Sequence, residues 1–278
     1  MILPLFCSGI LFLLAATPSQ AQAFNCPAVT RVGISDLGFS SYRDGASFRG
    51  ASVDVVNELA RRTGCKFELR WFPRGRMFTE FDNGHIDMVM GAAQTAERDR
   101  NGNFIPYCYA QFELVLSKNA AAPFRSLKDF VDRSHARLNI PRGISHLNAV
   151  QVQLDRLERA GRLEWVNDFD VVFKKIAAGR AEGTLAPPIL YTWYVAPAGK
   201  GDAISALQVP ESPRRLVGLY LSKQNISAEV HQAYTAAMRS TIADGSISRI
   251  YERYLDPAMM KRVYKSGVRE ILEAYKPG

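Results

Sequence analysis

Arg31-Val32-Gly33-Ile34, followed by Ser52-Val53-Asp54-Val55-Val56-Asn57-Glu58-Leu59-Ala60, Phe67-Glu68-Leu69-Arg70-Trp71 and Ile86-Asp87-Met88-Val89-Met90, is the stretch that decides how this chain folds. The first run is a short apolar strand. In the second, Ser52, Val55, Val56, Leu59 and Ala60 fall on one helical face that stops at Gly64, a residue suited to a left-handed C-cap. Phe67, Leu69 and Trp71 then alternate with Glu68 and Arg70, as a strand with one drier face does. A helix is predicted from about Arg76 to Phe81, ending at Asn83-Gly84, before a buried strand from Ile86 to Met90. Strand, helix, strand, helix, strand in this order is the pattern of a parallel sheet with helices on its faces.

Working outward, a second block of the same type starts near Leu127. It comprises a strand over Arg137 to Ile140, a helix over His146 to Leu157, a strand over Leu163 to Val166 and a helix over Val171 to Ala178. After Ser227 the pattern is helical (Val230, Tyr234, Met238, Ile242, then Ile250 and Tyr254), broken at Asp244-Gly245. The fold class expected is therefore α/β, with two doubly wound α/β lobes. With 278 residues, 47% of them hydrophobic and 22% charged, the chain has the composition of a globular protein rather than a disordered or fibrous one. Its net charge of +8 favours acidic or indifferent partners. The basic residues are scattered, which argues against nucleic acid.

Residues 1–23 read as a cleaved secretory signal. Ile10-Leu11-Phe12-Leu13-Leu14-Ala15-Ala16 is too short to span a bilayer, and Ala21-Gln22-Ala23 suits a signal peptidase, with cleavage before Phe24. The n-region carries no Lys or Arg, and an uncleaved anchor is the alternative. Export places the cysteines in an oxidising compartment. Cys26 and Cys65 each sit just before a predicted strand. If those strands are parallel neighbours, the two thiols lie at one sheet edge and a disulfide is expected. Cys108, between Tyr107 and Tyr109, reads as a buried small hydrophobe. His85, His135, His146 and His231 never pair at helical spacing, and no Cys/His pattern suits zinc, so neither metal nor cofactor is expected.

Five motifs in order and spacing now carry a resemblance. Arg31-Val32-Gly33, Val53 to Ala60, Asn83-Gly84-His85-Ile86-Asp87, Thr95-Ala96-Glu97-Arg98 and Ala243-Asp244-Gly245-Ser246-Ile247-Ser248-Arg249-Ile250-Tyr251 together resemble the family 3 bacterial extracellular solute-binding proteins. The resemblance implies two lobes joined by two hinge strands, the type II periplasmic binding protein-like arrangement, with a ligand held in the cleft by hinge closure. It implies lobe 1 as residues 24–115 and 220–278 and lobe 2 as residues 116–219, with crossovers near Glu113 to Lys118 and Leu216 to Ser222. It further implies a periplasmic protein, expected to be monomeric, that delivers a small anionic or zwitterionic solute to the membrane permease of an ABC transporter.

The same resemblance assigns the site. Arg98 of the Thr95-Ala96-Glu97-Arg98 stretch would fork onto a ligand carboxylate. Its other reading is a solvated loop, because Glu97-Arg98-Asp99-Arg100 alternates in sign. Gly91 would bring backbone close to the ligand, or simply end a strand. Arg142-Gly143-Ile144-Ser145, between a strand and a helix, would offer a second anion contact, with Ser145 binding, capping the helix, or both. Phe39 and Tyr42 would form a flat wall or tuck against their own lobe, and Arg74, Arg76 and Arg142 would add positive potential or sit in solvent.

Two departures bear on the solute. Ala93 stands where amino-acid binders place a hydroxyl, and Pro187 where they place an acid. Without either partner an α-ammonium would be buried unpaired, so the carboxylate half of the site is kept and the ammonium half lost. An organic acid is thus at least as well supported as an amino acid. The rival readings are an enzyme of this fold acting on a carboxylate, for which no nucleophile or base motif is present, and a sensor or accessory subunit. The basic tail after Asp256 (Lys261, Arg262, Lys265, Arg269, Lys276) would serve docking in the last case or merely face water.

Overall fold

The computed structural model describes residues 24–195 and 203–275. The predicted signal peptide, with Cys7, lies outside the described residues, as does Lys276. The chain forms β1 (Thr30–Ile34), a hairpin of β2 (Tyr42–Asp44) and β3 (Ser47–Arg49), α1 (Ala51–Thr63), β4 (Phe67–Trp71), α2 (Arg74–Asp82), β5 (Met88–Ala93), α3 (Ala96–Asn101) and β6 (Gly102–Ala110). There follow β7 (Glu113–Ser117), α4 (Leu127–Arg133), β8 (Leu138–Pro141), α5 (Asn148–Arg159), β9 (Leu163–Val166), α6 (Phe169–Ala177), β10 (Gly183–Ala186), α7 (Pro188–Val195) and β11 (Ile204–Gln208). Strand β12 (Arg215–Ser222) and helices α8 (Ala228–Ala243), α9 (Ser246–Glu252), α10 (Pro257–Val263) and α11 (Arg269–Glu273) complete it.

Two five-stranded sheets result, one in the order β4-β1-β5-β12-β6 and the other, read from the matching edge, β9-β8-β10-β7-β11. The expected parallel pairs are present: β1 lies between β4 and β5, and β8 between β9 and β10. Neither sheet is wholly parallel, however. The fourth strand of each runs antiparallel to its neighbours, and it is the first strand the chain makes after crossing from the other lobe. This shifts the expected crossovers. Glu113–Ser117 is strand β7, already paired with β10, and Leu216–Ser222 lies inside β12, already paired with β6. The chain passes between sheets at Gln111-Phe112 and again between β11 and β12. Apolar strand patterns mark a buried strand but not which sheet takes it.

Period-two alternation distributes the strand residues between two helical layers. In lobe 1, Met88, Met90, Leu219 and Leu221 join the core made with α1, α8 and α9, whereas Val89 and Tyr220 face Met77 and Phe81 of α2. In lobe 2, Leu114 and Leu116 face α4 and α5, and Val115 faces α6. Helix α1 ends as expected: Gly64 adopts a left-handed conformation and its N–H reaches the Ala60 carbonyl. Cys26 and Cys65 form a disulfide with Cα atoms 5.4 Å apart, because Thr30 pairs with Phe67 across the parallel β1 and β4. Cys108 is free and buried, and burial pushes its thiol up to about 12.

The basic tail does not simply face water. Val263, Tyr264 and Ile271 are buried in the lobe 1 core, and Arg262 turns inward. Its Nη1 meets Oε1 of Glu113 at 2.6 Å, while the Tyr191 hydroxyl donates to the other carboxylate oxygen at 2.9 Å. Glu113 is 1% exposed, so a tail helix, a lobe 2 helix and the start of β7 share one buried carboxylate.

Two outcomes follow from these ties. Replacing Cys26 and Cys65 together by Ser opens a 39-residue separation and is expected to lower unfolding free energy in urea by roughly 4 kcal/mol. Arg262→Ala strands a buried carboxylate and should cost about 2 to 4 kcal/mol; adding Glu113→Gln should recover part of that loss in a double-mutant cycle.

Candidate functional site

A cavity of about 80 Å³ lies between the lobes. Strand β5 and helices α2 and α3 build one wall, the loop after β8 and the start of α7 the other, and β12 the floor. Arg98 reaches it because Thr95 caps α3: the Thr95 hydroxyl accepts from the Arg98 N–H at 3.2 Å and orients the first turn. The guanidinium folds back to donate to the Ala93 carbonyl at 2.8 Å and lies 3.9 Å from the centroid of the Phe78 ring. Burial lowers its pKa to about 10, with neighbouring Arg215 adding in the same direction.

Arg74, the first residue of α2, is 6% exposed. It donates to the Met90 and Gly91 carbonyls at 3.2 and 2.8 Å and also lies over Phe78, at 4.9 Å. Its Nε is buried without a partner, and burial, then the charge of Arg98, brings its pKa to about 9. Arg215 opens β12 and donates across the cleft to the Ser145 carbonyl. Among the described residues none of these three arginines forms an ion pair, and no carboxylate lines the cavity. The remaining lining is largely apolar, with Leu37, Tyr107, Ile144, Phe169 and Leu190 prominent.

The two lobes touch around this space. Gly143 has a φ of 78°, and a Cβ there would stand 2.6 Å from the Gly75 backbone nitrogen of the opposite lobe. A Cβ on Gly38 would likewise meet the Leu190 carbonyl at 2.7 Å. Trp193 of α7 stacks on Tyr42 at 4.2 Å and meets Phe39 edge-on at 5.2 Å.

Of the residues singled out by sequence, Arg98, Gly91, Gly143 and Ser145 surround this cavity, together with Ala93, Pro187 and Arg74. Gly91 has a φ of 63° and offers its carbonyl to Arg74 and its N–H to the Tyr107 hydroxyl at 2.9 Å. Thr95 supports Arg98 from behind. Phe39 and Tyr42 pack on Trp193 of α7; Tyr42 does not line this cavity but an adjoining space of about 300 Å³ between the lobes, which shares Leu37, Arg74, Ile144 and Phe169 with it and also holds Asp36, Asp168 and Asp170. Arg76 is exposed and pairs with Glu80 at 3.1 Å, and Arg142 is exposed just after β8. Ser145 does not cap α5, which begins at Asn148 with no side-chain cap; the segment Arg142–Leu147 stays non-helical, with its Ser145 carbonyl held by Arg215. Arg215 is not singled out by the sequence; it opens β12, the first strand after the return crossover, and lines the cavity there.

Two lobes with matching strand order, touching across a cavity with polar groups from both, define the class of two-lobed binding proteins. The family model for bacterial extracellular solute-binding proteins, family 3, matches residues 31–257, and the chain belongs to that family. No curated protein sequence matches it. Among solved structures it is similar to an ancestral arginine-binding protein bound to arginine, with 20% identity, a TM-score of 0.70 and coverage of 84% of this chain and 100% of that one. The arginine-, lysine-, histidine-binding protein ArtJ from the thermophilic bacterium Geobacillus stearothermophilus shows 17% identity and a TM-score of 0.67, with 81% and 94% covered. An ancestral amino-acid-binding protein that is a precursor of cyclohexadienyl dehydratase shows 19% identity and a TM-score of 0.66, with 82% and 96% covered.

His146 sits behind the cleft loop with its ring edge-on to Phe112 and its Nε2 buried without a partner. Burial, then Arg215, lowers its pKa to about 4. The unfolded chain therefore binds the extra proton first as pH falls, and stability should drop between pH 6.5 and 4, by at most about 1.4 kcal/mol per unit from this group. Urea midpoints of His146→Gln should show a flatter profile than the native protein in that window alone.

Proposed function

We propose that the protein is a periplasmic solute-binding protein that captures a small carboxylate-bearing solute, an amino acid or organic acid, between its lobes by hinge closure. Delivery to the permease of an ABC transporter completes the reading, with the protein acting as a monomer. The observation that carries it is Arg98: a buried guanidinium in a cavity shared by both lobes, with no acidic partner among the described residues and one N–H donor seen bonded, to the Ala93 carbonyl. Charge buried in this way is costly alone and is compensated by a bound carboxylate. Gly91, Gly143 and Ser145 place backbone around the same space, and Thr95 orients the arginine. Phe39 and Tyr42 act on the closed state through Trp193, while Arg76 and Arg142 contribute at most long-range potential.

Binding without turnover suits the other cavity groups. Tyr107 and Cys108 are held protonated by burial, so neither offers a base near neutral pH. Ala93 and Pro187 supply no side-chain acceptor for an ammonium, which makes an organic acid at least as well supported as an α-amino acid.

A thermal-shift screen of amino acids, keto acids and other carboxylates should return a ligand that raises the melting point by about 5 to 10 °C at one hundred times its Kd. Arg98→Ala should erase that shift. A shift that survives the substitution places the site elsewhere, and multiple-turnover consumption of the ligand by the pure protein makes it an enzyme.

A further inference from the structure

Three arginines in one small cavity exceed what a single carboxylate requires. Arg74, Arg98 and Arg215 all line it, no aspartate or glutamate does, and none of the three forms an ion pair among the described residues. Their visible bonds are to backbone carbonyls only: Met90 and Gly91 for Arg74, Ala93 for Arg98, Ser145 for Arg215. A guanidinium has five N–H donors, so each keeps unused hydrogen-bonding capacity. For Arg74 this is explicit, since its Nε is buried and unpartnered on a residue that is 6% exposed. The charges also oppose one another: Arg98 disfavours the charged form of Arg74, and Arg215 that of Arg98.

Building on the assignment of Arg98 to a ligand carboxylate, we propose that Arg74 and Arg215 are the specificity determinants for a second anionic group, and that the solute is a short dicarboxylic acid. One negative charge would leave two of the three guanidinium charges uncompensated in a desolvated space. Two would leave one, shared with the backbone carbonyls. The walls between them, from Tyr107, Ile144, Phe169 and Leu190, suit a hydrocarbon spacer, and a cavity of about 80 Å³ limits its length.

The test is isothermal titration of the ligand-stripped protein with succinate, glutarate and 2-oxoglutarate, each against a monocarboxylate of matching chain (butyrate or pentanoate), with inorganic phosphate and amino acids alongside. At least one dicarboxylate should bind about 10-fold or more tightly than its monocarboxylate, the equivalent of one charge-assisted contact. Arg74→Gln and, independently, Arg215→Gln should cut that ratio to about 3-fold or less, lowering dicarboxylate affinity more than monocarboxylate affinity; melting of the ligand-free variants checks that each is folded. Arg98→Ala should remove both kinds of binding. Equal affinity for mono- and dicarboxylates, tighter binding of phosphate, or a ratio unchanged in both glutamine variants overturns the proposal. So does failure of every dicarboxylate to bind. If amino acids alone bind and depend on Arg98, the dicarboxylate proposal falls and the site stands. If dicarboxylates bind independently of Arg98, the site itself is misplaced.

Discussion

The buried carboxylate of Glu113 is the constraint on which the arrangement of the two lobes depends. It stands at the first residue of the strand that follows the crossover, with Arg262 from the tail on one oxygen and Tyr191 from α7 on the other. An ionised group this deep is tolerable only while both partners stay in place. The demand therefore fixes α10 against the crossover and α7 against both. Helix α7 in turn carries Leu190 into the cavity and Trp193 onto Tyr42 and Phe39, so the Glu113 cluster is tied to the contacts between the lobes.

The cleft inverts that logic. Where Glu113 is fully partnered, the arginines of the cavity are bound only to carbonyl dipoles and leave donors unused. The same chain thus partners this buried negative charge internally, while its cavity arginines have no acidic partner among the described residues. The protein's surplus of 8 positive charges is uninformative until three of those side chains are seen to share one desolvated space.

Much of the fold was legible because its signals are local. The Thr30–Ile34 and Leu163–Val166 strands, the Gly64 cap and the Asp244-Gly245 break depend on periodicity and turn chemistry within a few residues. The disulfide follows from the parallel pairing of β1 and β4, each of which starts shortly after a cysteine. The hairpin over Tyr42–Arg49 has no such local signal, since its strands are three residues long and mostly exposed. The start of α5 was placed too early because Ser145 has the chemistry of a cap, yet Arg215, 70 residues away, holds its backbone in another conformation.

By itself the sequence determined the two α/β blocks, the cysteine pair and the candidacy of Arg98, because each rests on residue types at short spacing. Tertiary structure alone decided that the fourth strand of each sheet runs antiparallel, that the tail turns a basic residue inward, and that Arg74 and Arg215 join Arg98. Those outcomes depend on which distant segments exclude water together. Desolvation, which turns an ordinary arginine into an unsatisfied one, has no local signature in the chain.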